Sequence, residues 1–133
     1  MNYLLDTHTL IWAFSDQNKL SSRVSYILPD PANTFFVSAI SFWEIALKFS
    51  TGKLKIKGTL PEELPSLSLA AGFQLIPVSP DESATFHWLD KVNNHKDPFD
   101  RMLIWQAIQR NLILITKDDD LHAYKIAGLK TIW

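Results

Sequence analysis

The sequence predicts an α/β fold in which a mainly parallel sheet is covered by helices on both faces. Short apolar runs alternate with helix-patterned stretches along the whole chain, as they do where strands are joined by crossover helices. One run, Leu112-Ile113-Leu114-Ile115, is apolar throughout, as a strand buried on both faces must be. With 133 residues and 47% apolar content, the chain is expected to form one domain over residues 1–133 and to bury roughly two thirds of its unfolded surface.

The elements follow in order. Tyr3 to Leu5 is a short strand that stops at Asp6, and Thr9 to Phe14 opens a helix. After a polar break at Ser15 to Lys19, a second helical stretch runs near Ser22 to Leu28. Thr34 to Val37 is rich in β-formers and leads into a helix over Ile40 to Phe49, with Gly52 placed to end it. Lys53-Leu54-Lys55-Ile56-Lys57 alternates strictly and predicts a short exposed strand or an extended basic arm. Pro61 to Ala71 reads as helix, Gln74 to Val78 as strand and Pro80 to Leu89 as helix. Pro98 to Arg110 is the clearest helix, Leu112 to Ile115 the clearest strand, and Lys130 to Trp133 a closing strand.

Composition narrows the chemistry. Cysteine is absent, which removes disulfides, thiolate metal sites and a cysteine nucleophile, so any metal ligands are oxygen or imidazole. Thirteen Lys and Arg against fourteen Asp and Glu leave a formal charge of −1, so a nucleic-acid partner needs a local basic patch. The first residues lack the regions of a signal peptide, and no apolar stretch approaches the roughly 20 residues of a membrane helix. The expectation is a soluble, cytoplasmic protein with no membrane association.

Four acids, Asp6, Glu44, Asp100 and Asp118, stand near the ends of apolar runs. Each has a structural explanation. Asp6 after a strand can cap the next helix. Glu44 stands three residues after Ser41, the spacing of a capping box; a helix starting nearer Ser38 would instead turn its carboxylate inward. Asp97 before Pro98 fits an N-cap, which puts Asp100 in the first helical turn, where an anion is favoured. Yet Asp100 also lies on the stripe of Leu103, Ile104 and Ala107 that should face the sheet. Asp118 ends the best strand and opens an acidic run in which only the first residue is expected to face inward. Together, such carboxylates at the carboxyl ends of parallel strands predict one crevice. Close-packed carboxylates repel unless they are protonated or bind cations.

The segments Leu4 to Trp12, Ser38 to Lys48, His95 to Ile104 and Leu114 to Asp118 resemble, in order and spacing, the successive motifs of the PIN domain. Within that family they are similar to the VapC-like toxins of toxin–antitoxin pairs. The resemblance covers essentially the whole chain. It implies a three-layer α/β/α sandwich and a Mg²⁺- or Mn²⁺-dependent endoribonuclease whose acidic quartet is Asp6, Glu44, Asp100 and Asp118. It further implies an RNA substrate, a homodimer, a small antitoxin protein as partner, and products bearing a 5′-phosphate and a 3′-hydroxyl. Asp6 and Asp100 are expected to hold the principal metal, with Glu44 and Asp118 completing the site. Three positions depart from the family pattern: Trp105, where a small residue is usual, and Asn94 and Lys96, where His and Arg are usual. Trp105 predicts altered packing or a bulkier wall to the crevice, and the other two put substrate contacts in question.

Around the acids, Thr7 and Thr116 could orient a carboxylate or water, and Asp97 and Asp119 could support the quartet. Lys48, Lys53, Lys55, Lys57, Lys96 and Lys117 could follow phosphates, with Arg101 the leading phosphate or antitoxin contact. Trp12, Phe42, Trp43 and Trp88 could stack bases or cover an interface, and His8 and His95 could touch substrate. Two alternatives remain. A catalytically silent PIN-like module would bind RNA or protein only. A dehalogenase-like phosphatase would use Asp6 as nucleophile, but His8 stands where its general acid should be, and Glu44 would have no role.

Overall fold

The computed structural model describes residues 1–133. Strands β1 (Asn2–Leu5), β2 (Thr34–Ser38), β3 (Gln74–Ile76), β4 (Ile113–Ile115) and β5 (Lys130–Ile132) form one sheet in the order β3-β2-β1-β4-β5. Every neighbouring pair is parallel. The helices are α1 (Thr7–Ser15), α2 (Ser22–Ile27), α3 (Ala39–Ser50), α4 (Leu64–Ala70), α5 (Pro80–Thr85), α6 (Pro98–Gln109) and α7 (Asp119–His122).

The side-chain period of two sends alternate strand residues into two cores, one on each face of the sheet. Tyr3, Leu5, Phe35, Val37 and Ile115 join Leu10 and Ile11 of α1, Val24 of α2 and Ile45 of α3. Leu4, Ile76 and Leu114 join Leu103, Ile104, Trp105 and Ala107 of α6 and Leu121 of α7. Two helical layers therefore enclose the sheet, as the α/β/α expectation requires.

Several boundaries differ from the sequence reading, each for a local reason. Strand β3 stops at Ile76 because Pro77 has no N–H to continue the ladder. Leu112 belongs to the end of α6: its N–H bonds to Ala107 O at 2.9 Å after Asn111 turns through a positive φ of 54°. The Pro61 to Ala71 helix starts as a 3₁₀ turn at Pro61–Glu63, and the Pro80 to Leu89 helix ends as one at Phe86–Trp88. The alternating Lys53 to Lys57 segment pairs with no strand. It keeps its alternation, burying Ile56 and half-burying Leu54 while the lysines face outward.

The strand order reverses direction between β1 and β4, so the helices that follow these strands leave toward opposite faces. A crevice opens at such a switch point, outside the carboxyl ends of the two strands. Residues 6 and 116 stand at its floor.

Candidate active site

Asp6 caps α1 directly after β1. Its N–H continues the ladder to Ile115 O at 3.0 Å, and its Oδ1 accepts the Thr7 N–H at 2.7 Å. Its Oδ2 accepts the hydroxyl of Thr116, just past β4, also at 2.7 Å. A single carboxylate thus spans the switch point with each oxygen held. Only 4% of Asp6 is exposed. Burial pushes its carboxyl above the ordinary value, against the lowering effects of the Thr116 hydroxyl, the His8 charge and the Thr7 N–H.

Glu44 projects from the interior of α3. The cap of that helix is Ser38, whose hydroxyl accepts the Ile40 N–H at 3.1 Å, so the capping box with Ser41 does not form. The buried stripe of α3 is Ser41, Glu44 and Ile45, while Leu47 is exposed. The Ser41 hydroxyl accepts from Thr7 Oγ1 at 3.0 Å, which ties α3 to the start of α1. Glu44 is 3% exposed; its Oε2 pairs with Lys48 one turn on, and its Oε1 is buried without a partner. A buried anionic oxygen with no donor is costly and calls for a positive group beside it. Lys48 itself is held above its ordinary value: burial works to lower it, but Glu44, Asp97 and Asp100 outweigh that effect.

Asp97 caps α6, accepting the Asp100 N–H at 2.9 Å, with Pro98 at the first helical position. Asp100 therefore lies on the face of α6 whose Leu103, Ile104 and Ala107 are buried against the sheet. His95 holds it from the other side, with Nε2 3.2 Å from Asp100 Oδ2 and Nδ1 3.1 Å from the Tyr124 hydroxyl. Burial, joined by the charges of Asp97, Asp6, Glu44 and Asp118, pushes the Asp100 carboxyl up to about 8. The charges of the other three predicted acids thus all reach Asp100.

Asp118 is the most exposed of the four. It caps α7, accepting the Asp120 N–H at 2.9 Å, while its own N–H donates to Thr116 Oγ1 at 3.1 Å. Thr116 therefore connects Asp6 and Asp118. These two acids, with His8, Trp12 and Lys117, line a cavity of about 210 Å³.

The donor set fits a hard divalent cation. All four groups are carboxylates, one carries an unpartnered buried oxygen, and another is held protonated near neutrality by burial and its neighbours' negative charge. No three acidic or imidazole groups make a ready cage.

Other assignments need correction. Arg101, expected to meet phosphate or a partner, is 8% exposed. Its guanidinium donates to Leu89 O and lies over the Phe86 ring at 4.8 Å, so it braces the 3₁₀ segment below α5. Trp105 does not wall the crevice: its indole N–H donates to Thr85 Oγ1 at 3.2 Å, and its ring meets Trp88 edge-on. Asn94 and Lys96 are exposed on the loop before α6. His95 and Thr116 turn out to position the acids. Residue adjacency hinted at both, but their partners lie far away in the chain. The cluster of Glu82, Gln106 and Arg110 carried no sequence signal. Arg110 donates to both Glu82 oxygens, at 2.8 and 2.9 Å, and Gln106 reaches Glu82 at 3.2 Å.

Comparison with known proteins agrees with this architecture. The family model described as PIN domain matches residues 3–127. Ribonuclease VapC22 of Mycobacterium tuberculosis is 28% identical over 134 residues, covering 98% of this chain and 97% of that protein. Among solved structures, VapBC2 from Rickettsia felis bound to a promoter DNA fragment superposes with a TM-score of 0.67 at 19% identity, covering 99% of this chain and 98% of the other. VapBC-1 from nontypeable Haemophilus influenzae gives 0.66 at 16% identity, covering 99% and 97%. The three-layer fold is therefore shared with these structures, and the family match spans nearly all of the sequence: the chain belongs to the PIN domain family.

Proposed function

We propose that this chain is a divalent-metal-dependent endoribonuclease, the toxin of a toxin–antitoxin pair, with Asp6, Glu44, Asp100 and Asp118 as its catalytic and metal-binding acids. The observation that carries the reading is the buried acidic centre itself. A carboxyl held up to about 8 and an unpartnered Glu44 oxygen make an arrangement that is unfavourable without a cation. The relatedness to a ribonuclease along the full chain gives the reaction class, and the likeness to VapBC assemblies supports an antitoxin partner.

Asp6 and Asp100 would hold the principal Mg²⁺ or Mn²⁺, with Glu44 and Asp118 completing the site directly or through water. When bound, such an ion supplies positive charge at the scissile phosphate and makes water a stronger nucleophile at neutral pH. Thr116 fixes the Asp6 carboxylate, and His95 with Tyr124 fixes that of Asp100, so neither acid must reorganise on binding. Lys48 offsets one charge on Glu44 and keeps that carboxylate in place. Lys117, at the rim of the cavity, offers a cation to an incoming phosphate. Hydrolysis leaves a 5′-phosphate and a 3′-hydroxyl, and the active species is a homodimer.

The test compares wild type with Asp6→Asn and Asp100→Asn on structured RNA, with Mg²⁺ or Mn²⁺ and with chelator. Each substitution should lower cleavage at least roughly a hundredfold, the upper range for disturbing a metal site, and chelator should abolish it. Cleavage that survives both substitutions and chelation would sink the assignment. Trapping of an acyl-phosphate on Asp6 would favour phosphatase chemistry instead.

A further inference from the structure

The cavity at the acidic centre does not end at its own walls. His8 and Trp12 also line a second cleft of about 480 Å³, whose other residues include Lys19 beyond the end of α1 and Leu54, Lys55 and Lys57 from the segment after α3. His8, Trp12 and Ser15 recur at helical spacing, so the cleft follows one face of α1 for roughly 10 Å away from the acidic centre. In a chain of net charge −1, three lysines against one aspartate, Asp16, are a local excess of positive charge. Trp12 sits at the junction. Its indole is half-buried and braced edge-on by Trp133 at 5.9 Å, and the Lys19 and Lys117 ammonium groups each lie 5.9 Å from its ring centroid.

A braced aromatic face bordered by cations is how proteins hold single-stranded nucleic acid: bases stack on the ring and lysines follow the backbone. We propose that this cleft is a binding subsite for single-stranded RNA beside the scissile bond, with a base stacked on Trp12 and the adjoining phosphates held by Lys19, Lys55 and Lys57. The inference deepens the nuclease reading and rests on it. An arriving base takes the place of a lysine ammonium over the ring, and that ammonium then meets the base's own phosphate. The lysine segment needs no ordering when RNA arrives, because Ile56 anchors it in the core between Lys55 and Lys57. The cleft thereby makes a preformed track, and it selects RNA whose cleavage site lies in an unpaired stretch.

The experiment uses Trp12→Phe, which keeps an aromatic face, Trp12→Leu, which keeps bulk without one, and the pair Lys55→Gln/Lys57→Gln. Arg23→Gln/Lys130→Gln serves as a charge-matched control, since both residues are exposed and lie outside the cleft. Cleavage of a short single-stranded RNA is followed in Mn²⁺, and binding of the same labelled RNA is followed in chelator, where no cleavage occurs. Expected results are KM raised roughly tenfold by Trp12→Leu with kcat little changed, and largely restored by Trp12→Phe. The lysine pair should weaken binding and lower the slope of log affinity against log salt by about 1.4, at about 0.7 for each phosphate no longer neutralised. The control pair should do neither. Equal losses in both Trp12 variants, or unchanged KM and binding in the lysine pair, overturn the subsite. So does loss of a protein partner by these variants with RNA binding intact. A wild type that binds RNA through these residues yet never cleaves overturns the nuclease reading and leaves the subsite standing.

Discussion

Asp100→Asn should make the metal-free protein more stable while destroying the site. The folded chain holds at about 8 a carboxyl whose ordinary value is 3.8. At about 1.4 kcal/mol for each pH unit between 3.8 and 7, that is a cost of up to about 4 kcal/mol at pH 7. One fifth of the Asp100 side chain is exposed, so solvent screens part of it, and about 2 kcal/mol is a fair expectation. The sign follows from proton binding. Below pH 4 both folded and unfolded chains carry the proton and nothing is lost. Between pH 4 and 8 the unfolded chain ionises while the folded chain does not, so stability falls as pH rises and levels off above 8. Asparagine removes the ionisation and keeps an oxygen or amide near His95. For a domain of this size the midpoint in chelator at pH 7 should rise by roughly 8 °C, and the gap should close near pH 4. Thermal unfolding followed by circular dichroism measures both. Saturating Mg²⁺ should narrow the gap from the other side, by stabilising wild type more than the variant. A variant no more stable than wild type at pH 7, or a gap indifferent to pH, would refute the idea that burial and neighbouring negative charge make ionised Asp100 unfavourable in the folded chain.

Three further outcomes test the parts around it. Thr116→Val removes the 2.7 Å donor to Asp6 Oδ2 at nearly constant volume, and Mn²⁺ affinity by titration calorimetry should fall roughly ten- to a hundredfold with the fold intact. Lys48→Met leaves both Glu44 oxygens without a donor; urea unfolding in chelator should show a loss of about 1 to 3 kcal/mol, partly recovered by Mg²⁺. Glu82→Gln tests the polar cluster away from the site. Burial opposes ionisation of Glu82, but Arg110, the Ser79 N–H and Gln106 hold its carboxyl down at about 2 against an ordinary 4.5. That stability is fully present above pH 4.5 and is lost as pH falls toward 2. The substitution should cost about 2 kcal/mol at pH 7 and almost nothing near pH 2, with cleavage unaffected.

Much of the site was legible because its parts are local. The Asp97-Pro98 cap and the Leu103, Ile104, Ala107 stripe together placed Asp100 inward, and both hold in α6. At Glu44 two local signals competed, and the choice of Ser38 over Ser41 as cap depended on where β2 ends. Arg101 shows the opposite failure. Adjacency to Asp100 suggested a shared role, but consecutive helical residues point about 100° apart, and Arg101 turns to Leu89 and Phe86.

By itself the sequence determined the alternation of strands and helices, the carboxylates at strand ends and helix starts, and the absence of any thiol chemistry. Those properties depend on period, capping and composition, which act over a few residues. Only the tertiary structure decided that Asp6 and Thr116, 110 positions apart, share a hydrogen bond, that His95 and Tyr124 hold Asp100, and that α1 carries a basic cleft away from the acids. These depend on the order β3-β2-β1-β4-β5, which sets β1 beside β4 and opens the crevice between them. Strand order is chosen by the packing of two whole cores, and no short stretch of residues encodes it.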